Sequence, residues 1–292
     1  MGRRSGIGRR IDNIAKWLLG FGVIVAPARF VSNSWMAWSF VSRLDRIRVN
    51  RQRGRIRTGE MPQHVSIIMD GNRRFAWNLS LGRELGHKHG KEKLKEVMDW
   101  ILELGIPYLT VYALSTENIT SRDPEELESL YDLYVTGLQE ISEDPRIHSK
   151  KVKVSAAGRI ESLPDRVREA ISYAEERTAS YSDFTFTVCL AYGGREEIVD
   201  AVKEIAKDHA SGDLDLDAID NSEISSRLYD AQIPDPDLVI RTSGEERVSN
   251  FLLWQIAYSE FYFTDVHWPS FSKGDLYDAI ETYQIRRRRF GG

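Results

Sequence analysis

From about residue 60 onward, short apolar runs alternate with longer stretches in which apolar residues recur every three or four positions. Runs of strand length lie at residues 65–69, 107–113, 151–156, 184–191 and 237–240. Between them, "KEKLKEVMDWILELG" places Leu94, Val97, Met98, Ile101 and Leu102 at helical spacing, and Gly105 follows as a stop. "DPEELESLYDLYVTGL" opens with Asp123 as an N-cap candidate and Pro124 at the first helical position. Residues 163–178 and 195–210 repeat the helical period. Strands alternating with helices of this length predict an α/β fold, a mostly parallel central sheet flanked by helices through crossover connections.

In such sheets ligands collect beyond the carboxyl ends of the strands, so candidate chemistry is sought there. The first run is followed by "DGNRRFAWNLSLGRELGHKHG", the second by "LSTEN" and the last by "RTSGEERVSN". Together they offer Arg73, Arg74, Arg83, His87, Arg241 and Arg247, with hydroxyls from Ser115, Thr116, Thr242, Ser243 and Ser249. Arginines around a glycine turn that opens a helix suit a polyphosphate, because guanidinium groups make paired charge-assisted bonds and helix N-termini add backbone donors. Asp70 and Glu260 only accept hydrogen bonds, so beside a phosphate they need a cation between; magnesium, held by one or two carboxylates plus substrate phosphates, is the natural one. Taken singly, each feature has a plain structural reading: an Asp-Gly pair is usually a turn and a strand-end arginine a surface ion pair. "HKH" at residues 87–89 is no metal motif, since positions i and i+2 of a helix do not share a face and no cysteine joins them. The phosphate reading rests on three strand ends carrying the same kind of group.

Composition narrows the class without changing this picture. A chain of 292 residues with 41% hydrophobic and 29% charged residues is that of a globular protein long enough for a large core. Cys189, the single cysteine, lies in an apolar run, which predicts a packed thiol and a reducing, cytoplasmic setting. The net charge of −4 hides a division: residues 1–60 hold 13 Lys or Arg against 3 Asp or Glu, and residues 61–292 hold 27 against 41. The basic segment also carries the apolar run Trp17 to Ala26, too short to span a bilayer, and Trp35, Trp38 and Phe40 beside Arg43, Arg46 and Arg48. Of three readings of this arm, a signal peptide fits the basic start and short apolar run but has a weak small-residue cleavage pattern, and the other two fit equally. One is an interfacial helix that contacts the cytoplasmic membrane surface; the other is a helix packed on the domain, followed by a solvated basic linker, "RVNRQRGRIRTGE". The expected organisation is an arm over 1–60 and a catalytic domain over 61–292.

"HVSIIMDGNRRFA", "GHKHG", "YALSTEN", "YGGREEI", "DLVIRTSGEERVSNFLLWQIAYSEFYFTDVHWP" and the terminal "RRRRFGG" together resemble the cis-prenyltransferases of the undecaprenyl diphosphate synthase family, in the right order from about residue 61 to the end. The resemblance implies a magnesium-dependent enzyme with an apolar product tunnel. Such an enzyme condenses isopentenyl diphosphate successively onto an allylic diphosphate, farnesyl or geranylgeranyl, to give a long-chain polyprenyl diphosphate, the precursor of a glycosyl carrier lipid. It implies Asp70 as the catalytic aspartate that brings magnesium to the diphosphates, Gly71, Asn72, Arg73, Arg74 and Phe75 around the allylic group with help from Arg83 and His87, and Glu260 as the second metal-linked carboxylate. Arg241, Arg247, Val248 and Ser249 would hold isopentenyl diphosphate, with Ser115, Thr116, Glu117, Ile119 and Arg122 completing the substrate contacts. Asn118 is expected to orient isopentenyl diphosphate or relay its proton, a neutral carboxamide being a poor base. The helix from Glu125 to Glu140, with Leu127, Leu130, Tyr131, Leu133 and Tyr134, reads as tunnel wall or as ordinary core. Arg289 and Gly291 match a terminal Arg-Xaa-Gly tail that reaches the partner's site in a homodimer; nucleic acid is not an expected partner.

Departures from the family pattern carry information. Phe75 and Ile119 replace tryptophans common in bacterial members, Glu246 replaces a frequent histidine, and one extra residue precedes Arg122. Arg73 replaces a glycine, and "DGNRR" is closer to the archaeal and eukaryotic branch; with the basic arm it favours an archaeal-type enzyme, which leaves geranylgeranyl diphosphate as one of the two candidate starters. Haloacid dehalogenase-like phosphatases also end a strand in Asp-Gly but need a second aspartate where Asn72 stands. Noncatalytic subunits of two-chain prenyltransferases lose the aspartate motif, whereas this chain has both motif and tail.

Overall fold

The computed structural model describes residues 49–290, without the side chains of 288–290. The apolar run, the aromatic stretch, the Arg289 side chain and Gly291 therefore lie outside the described residues. Two units divide at Gly59. In the first, residues 49–56 are helical, so this part of the basic stretch read as a linker is a helix instead, closed by a turn from Thr58 N to Arg55 O of 3.2 Å.

The second unit is built on six strands in the order β3-β4-β2-β1-β5-β6. They are β1 (His64–Ile68), β2 (Tyr108–Tyr112), β3 (Val152–Ala157), β4 (Phe184–Cys189), β5 (Leu238–Arg241) and β6 (Glu260–Phe263), and every pairing is parallel. β1 and β5 are buried along their whole length, as continuous apolar strands covered on both faces should be. Around the sheet run α1 (Asn72–Asn78), α2 (Arg83–Leu104), α3 (Thr116–Ser121), α4 (Pro124–Glu143), α5 (Pro145–Ser149), α6 (Asp165–Thr178), α7 (Gly194–Ser211), α8 (Asn221–Ser225) and α9 (Lys273–Phe290). Asp123 caps α4 by accepting from Glu125 N at 2.9 Å, ahead of Pro124, and Gly105 ends α2 at φ 72°. Cys189 is fully buried in the core. None of the described helices is long and apolar enough to cross a membrane.

The strand order sets the location of the site. From β1 the chain crosses to β2 on one side, while β5 returns to pair with β1 on the other. This reversal opens a crevice between the carboxyl ends of β1 and β5. Asp70 stands two residues past the end of β1, and Arg241 is the last residue of β5, in register with Ile68.

Helix α2 begins eight residues before the apolar period suggested. Its buried stripe in that stretch is made of glycines: a Cβ on Gly86 would lie 2.4 Å from Asn72 O, and one on Gly90 would lie 2.4 Å from Asn72 Oδ1. Helix α1 therefore packs directly on the α2 backbone, holding the start of α1 against the crevice.

Candidate active site

Asp70 is gripped from two sides. Arg241 Nη2 donates to its Oδ2 at 2.9 Å, and Arg74, one helical turn on in α1, donates from Nη2 to its Oδ1 at 3.0 Å. The main chain is fixed as well, since Asp70 O accepts from Thr242 Oγ1 at 2.6 Å and from Trp268 N at 3.0 Å. Burial alone would raise the Asp70 pKa, but the hydrogen bond from Arg241 and the charge of Arg74 hold it below the ordinary carboxylate value. Asp70 is thus an anion at neutral pH. Gly71 follows at φ 102°, and a Cβ there would lie 2.7 Å from Ser243 Oγ and 2.9 Å from His267 Nδ1. Only glycine fits both the left-handed turn and the close packing.

Arg241 is buried, and its Nη1 reaches Ser249 Oγ at 2.7 Å and the Arg247 carbonyl. Arg247 and Arg74 share one acceptor: Glu245 takes a bond from Arg74 Nη1 at 3.1 Å and another from Arg247 Nη1. A second basic group forms around Glu126, at the start of α4, which faces Arg122 at 2.7 Å, Arg83 and His87 at 3.4 Å each, and Arg73 at 3.7 Å. Burial and then the Arg122 charge press the His87 pKa below its usual value, leaving it neutral near pH 7. Arg122 Nε and Arg241 Nε are buried without a protein partner, as is Asn72 Oδ1. Unsatisfied buried donors are rare in folded proteins, and two of them on cationic residues facing one cavity suit an anionic ligand.

That cavity holds about 700 Å³. Its mouth carries Asp70, Asn72, Arg73, His87, Ser115, Glu117, Asn118, Arg122, Arg241, Arg247 and Ser249. Its interior runs between α2, α4 and the sheet over Leu94, Leu130, Leu133, Tyr134, Leu138, Ile141, Phe186, Val188 and Leu190. A polar, cationic mouth above an apolar interior fits a ligand with a charged head and a hydrocarbon tail. Of the α4 residues singled out in the sequence, Leu130, Leu133 and Tyr134 line the cavity, whereas Leu127 and Tyr131 do not.

The remaining sequence candidates take different positions. Ser115 caps α3, accepting from Asn118 N at 3.1 Å. Glu117 accepts from Thr116 Oγ1 at 3.3 Å and from Asn250 Nδ2 at 2.9 Å. Gly71, Arg74, Arg83, Thr116, Ile119 and Val248 are not among the lining residues, nor is Phe75, whose ring meets His89 edge-on at 5.7 Å. Glu246 is exposed. The described chain does not bring Glu260 to Asp70: Glu260 opens β6, in register with Leu238 at the far end of β5, and pairs with Arg286 at 3.0 Å. Among the described residues no group of three or more His, Cys, Asp or Glu could by itself hold a metal. Sequence reasoning missed Glu126, Glu245 and Asn250, the last of which also bonds Glu196 at 3.0 Å and so ties three strand-end loops together.

The profile of a family described as "Putative undecaprenyl diphosphate synthase" matches residues 68–291. A tritrans,polycis-undecaprenyl-diphosphate synthase (geranylgeranyl-diphosphate specific) of Methanopyrus kandleri is 53% identical over 81% of this chain and 87% of its own. Its counterpart in Methanocaldococcus jannaschii is 45% identical over 98% of this chain and 99% of its own. Among solved structures, lavandulyl diphosphate synthase from Lavandula x intermedia, in complex with dimethylallyl diphosphate, superposes with a TM-score of 0.74 at 37% identity, covering 77% of this chain and 96% of that one. A probable undecaprenyl diphosphate synthase of Campylobacter jejuni does so with a TM-score of 0.64 at 29% identity, over 80% and 99%. Sheet, crevice and sequence agree: the chain belongs to the undecaprenyl diphosphate synthase family of cis-prenyltransferases, on its archaeal side.

Proposed function

We propose that this enzyme adds isopentenyl diphosphate repeatedly to geranylgeranyl diphosphate and makes a long-chain polyprenyl diphosphate used as a glycosyl carrier precursor. The observation that supports this reading most is the placing of the Asp70–Arg241 ion pair, with Arg73, Arg122 and Arg247, at the mouth of an apolar cavity of about 700 Å³. The starter is taken from the printed specificity of the archaeal relatives.

In each cycle the allylic C1–O bond breaks, C1 bonds to C4 of the isopentenyl unit, and a proton leaves C2 of that unit as the cis double bond forms. Negative charge grows on the departing diphosphate, and guanidinium groups already fixed by ion pairs stabilise it without reorganising. Arg73, Arg74, Arg83, His87 and Arg122 are assigned to the allylic diphosphate, and Arg241, Arg247 and Ser249 to the isopentenyl diphosphate. Asn118 orients the isopentenyl unit while a diphosphate oxygen accepts the proton. Asp70 is the protein ligand we assign to magnesium, whose other ligands would be diphosphate oxygens. An ionised carboxylate held between two guanidinium groups at a phosphate site is a donor of the kind that ion takes, and the ion when bound would neutralise charge on the leaving group. Hydrocarbon burial holds the growing chain, each buried methylene contributing about 0.8 kcal/mol.

Assembly as a homodimer with the terminal Arg-Xaa-Gly tail in the partner's site, and contact of residues 1–60 with the cytoplasmic membrane surface, belong to the same proposal. The test is product analysis of the full chain with dimethylallyl, geranyl, farnesyl and geranylgeranyl diphosphates as alternative starters. Geranylgeranyl diphosphate is expected to give the highest turnover and a ladder ending in long products. Faster turnover of a shorter starter would overturn the starter assignment.

A further inference from the structure

Glu126 is a buried carboxylate set against three residues of the cavity mouth, Arg73, His87 and Arg122. Its side chain is 8% exposed, yet within 4 Å of its oxygens lie groups from α1 (Arg73), α2 (Arg83 and His87) and the end of α3 (Arg122). Burial by itself would raise its pKa, but the charges of Arg122 and Arg73 and the hydrogen bond from His87 bring it below the ordinary value. It therefore stands as a full anion among three guanidinium groups and a neutral imidazole.

We propose that Glu126 is the built-in counter-ion of the allylic diphosphate subsite, a positioning residue that holds the cations in place between turnovers and competes with the diphosphate for them. The inference rests on the reading of this end of the cavity as that subsite. Three guanidinium groups brought together without an anion repel one another, and their long side chains would otherwise lose their fixed geometry. The carboxylate gathers them in advance. It can only accept hydrogen bonds, so it offers an entering diphosphate nothing but repulsion, and the cations must divide their bonds between the two. The consequence is a site shaped for diphosphate yet deliberately below its maximal affinity. A repeating reaction needs that property, because inorganic diphosphate must leave the subsite after every condensation before the lengthened chain can occupy it, and release steps commonly limit turnover.

The test is calorimetric binding of inorganic diphosphate to the full chain, with steady-state kinetics in parallel. Glu126→Gln keeps size and removes charge; Glu126→Ala removes the charge without adding an amide donor that faces the arginines, and serves if the first variant does not fold. Both are expected to bind inorganic diphosphate about ten-fold more tightly than the wild type. KM for the allylic diphosphate should fall together with kcat, and Glu126→Asp, which keeps the charge, should restore values near wild type. Equal or weaker binding by both neutral variants would make Glu126 a mere buttress for the arginines and overturn the inference, while leaving the assigned function intact. A wild-type chain that does not bind inorganic diphosphate would overturn the subsite reading and this inference with it.

Discussion

Arg241 closes β5 and donates to Asp70 at 2.9 Å across the junction where the sheet reverses its strand order. The same guanidinium reaches Ser249 at 2.7 Å, so one buried side chain fixes both the carboxylate and the loop assigned to isopentenyl diphosphate. Lysine cannot make this fork of donors. Arg241→Lys should therefore lower kcat/KM by about 100-fold and raise KM for isopentenyl diphosphate more than KM for the allylic substrate. Steady-state kinetics with each substrate varied in turn measures the split.

Gly90 is expected to be as sensitive as a residue that touches substrate. A Cβ there would sit 2.4 Å from Asn72 Oδ1 and 3.0 Å from Asn72 Cγ, forcing the Asn72 side chain out of its place in the cavity lining. Gly90→Ala should weaken allylic binding at least ten-fold at a stability cost of about 1–3 kcal/mol. Urea unfolding and KM measured on the same preparation separate the two effects.

Asn118→Ala should slow condensation with little change in either KM, as expected for a group that orients one substrate rather than supplying the main binding energy. Unchanged turnover would remove Asn118 from the mechanism.

His64 gives the fold a pH dependence separate from the site. It is buried in β1, its ring nitrogens 2.6 Å from Pro234 O and 2.8 Å from Thr110 Oγ1, and burial lowers its pKa from 6.5 to about 4. Between those values the unfolded chain binds a proton that the folded chain refuses, so stability falls as pH drops through that window. The His64 share of the loss between pH 7 and pH 5 is about 2 kcal/mol. His64→Gln should flatten that part of the urea-unfolding profile even if it lowers stability at pH 7.

The α/β architecture and the strand-end location of the chemistry were legible because β1, β2, β4 and β5 are apolar runs and the helices between them keep a clear period. The first turns of α2 were hidden because Gly86 and Gly90 occupy the stripe where apolar residues would have shown it. β6 was missed as a half-buried edge strand without alternation. In α9 Leu276, Ile280 and Tyr283 are buried at helical spacing, a short period that the arginines following it break off. The arginines of the site were found one by one, whereas Glu126 and Glu245 were not. A carboxylate in a sequence looks like surface charge until folding shows how many cations converge on it. Glu260 illustrates the opposite limit, since its motif is clear while the described chain holds it at the far end of β6 from Asp70.

The most direct test of the account is incorporation of labelled isopentenyl diphosphate by the full chain, with geranylgeranyl diphosphate and magnesium, compared with Asp70→Asn at equal concentration. The wild type should form long polyprenyl diphosphates, and the variant, which keeps shape but loses the charge between Arg74 and Arg241, should fall by about 1,000-fold in kcat while still folding. A variant as active as the wild type, or a wild type without magnesium-dependent incorporation, would contradict it.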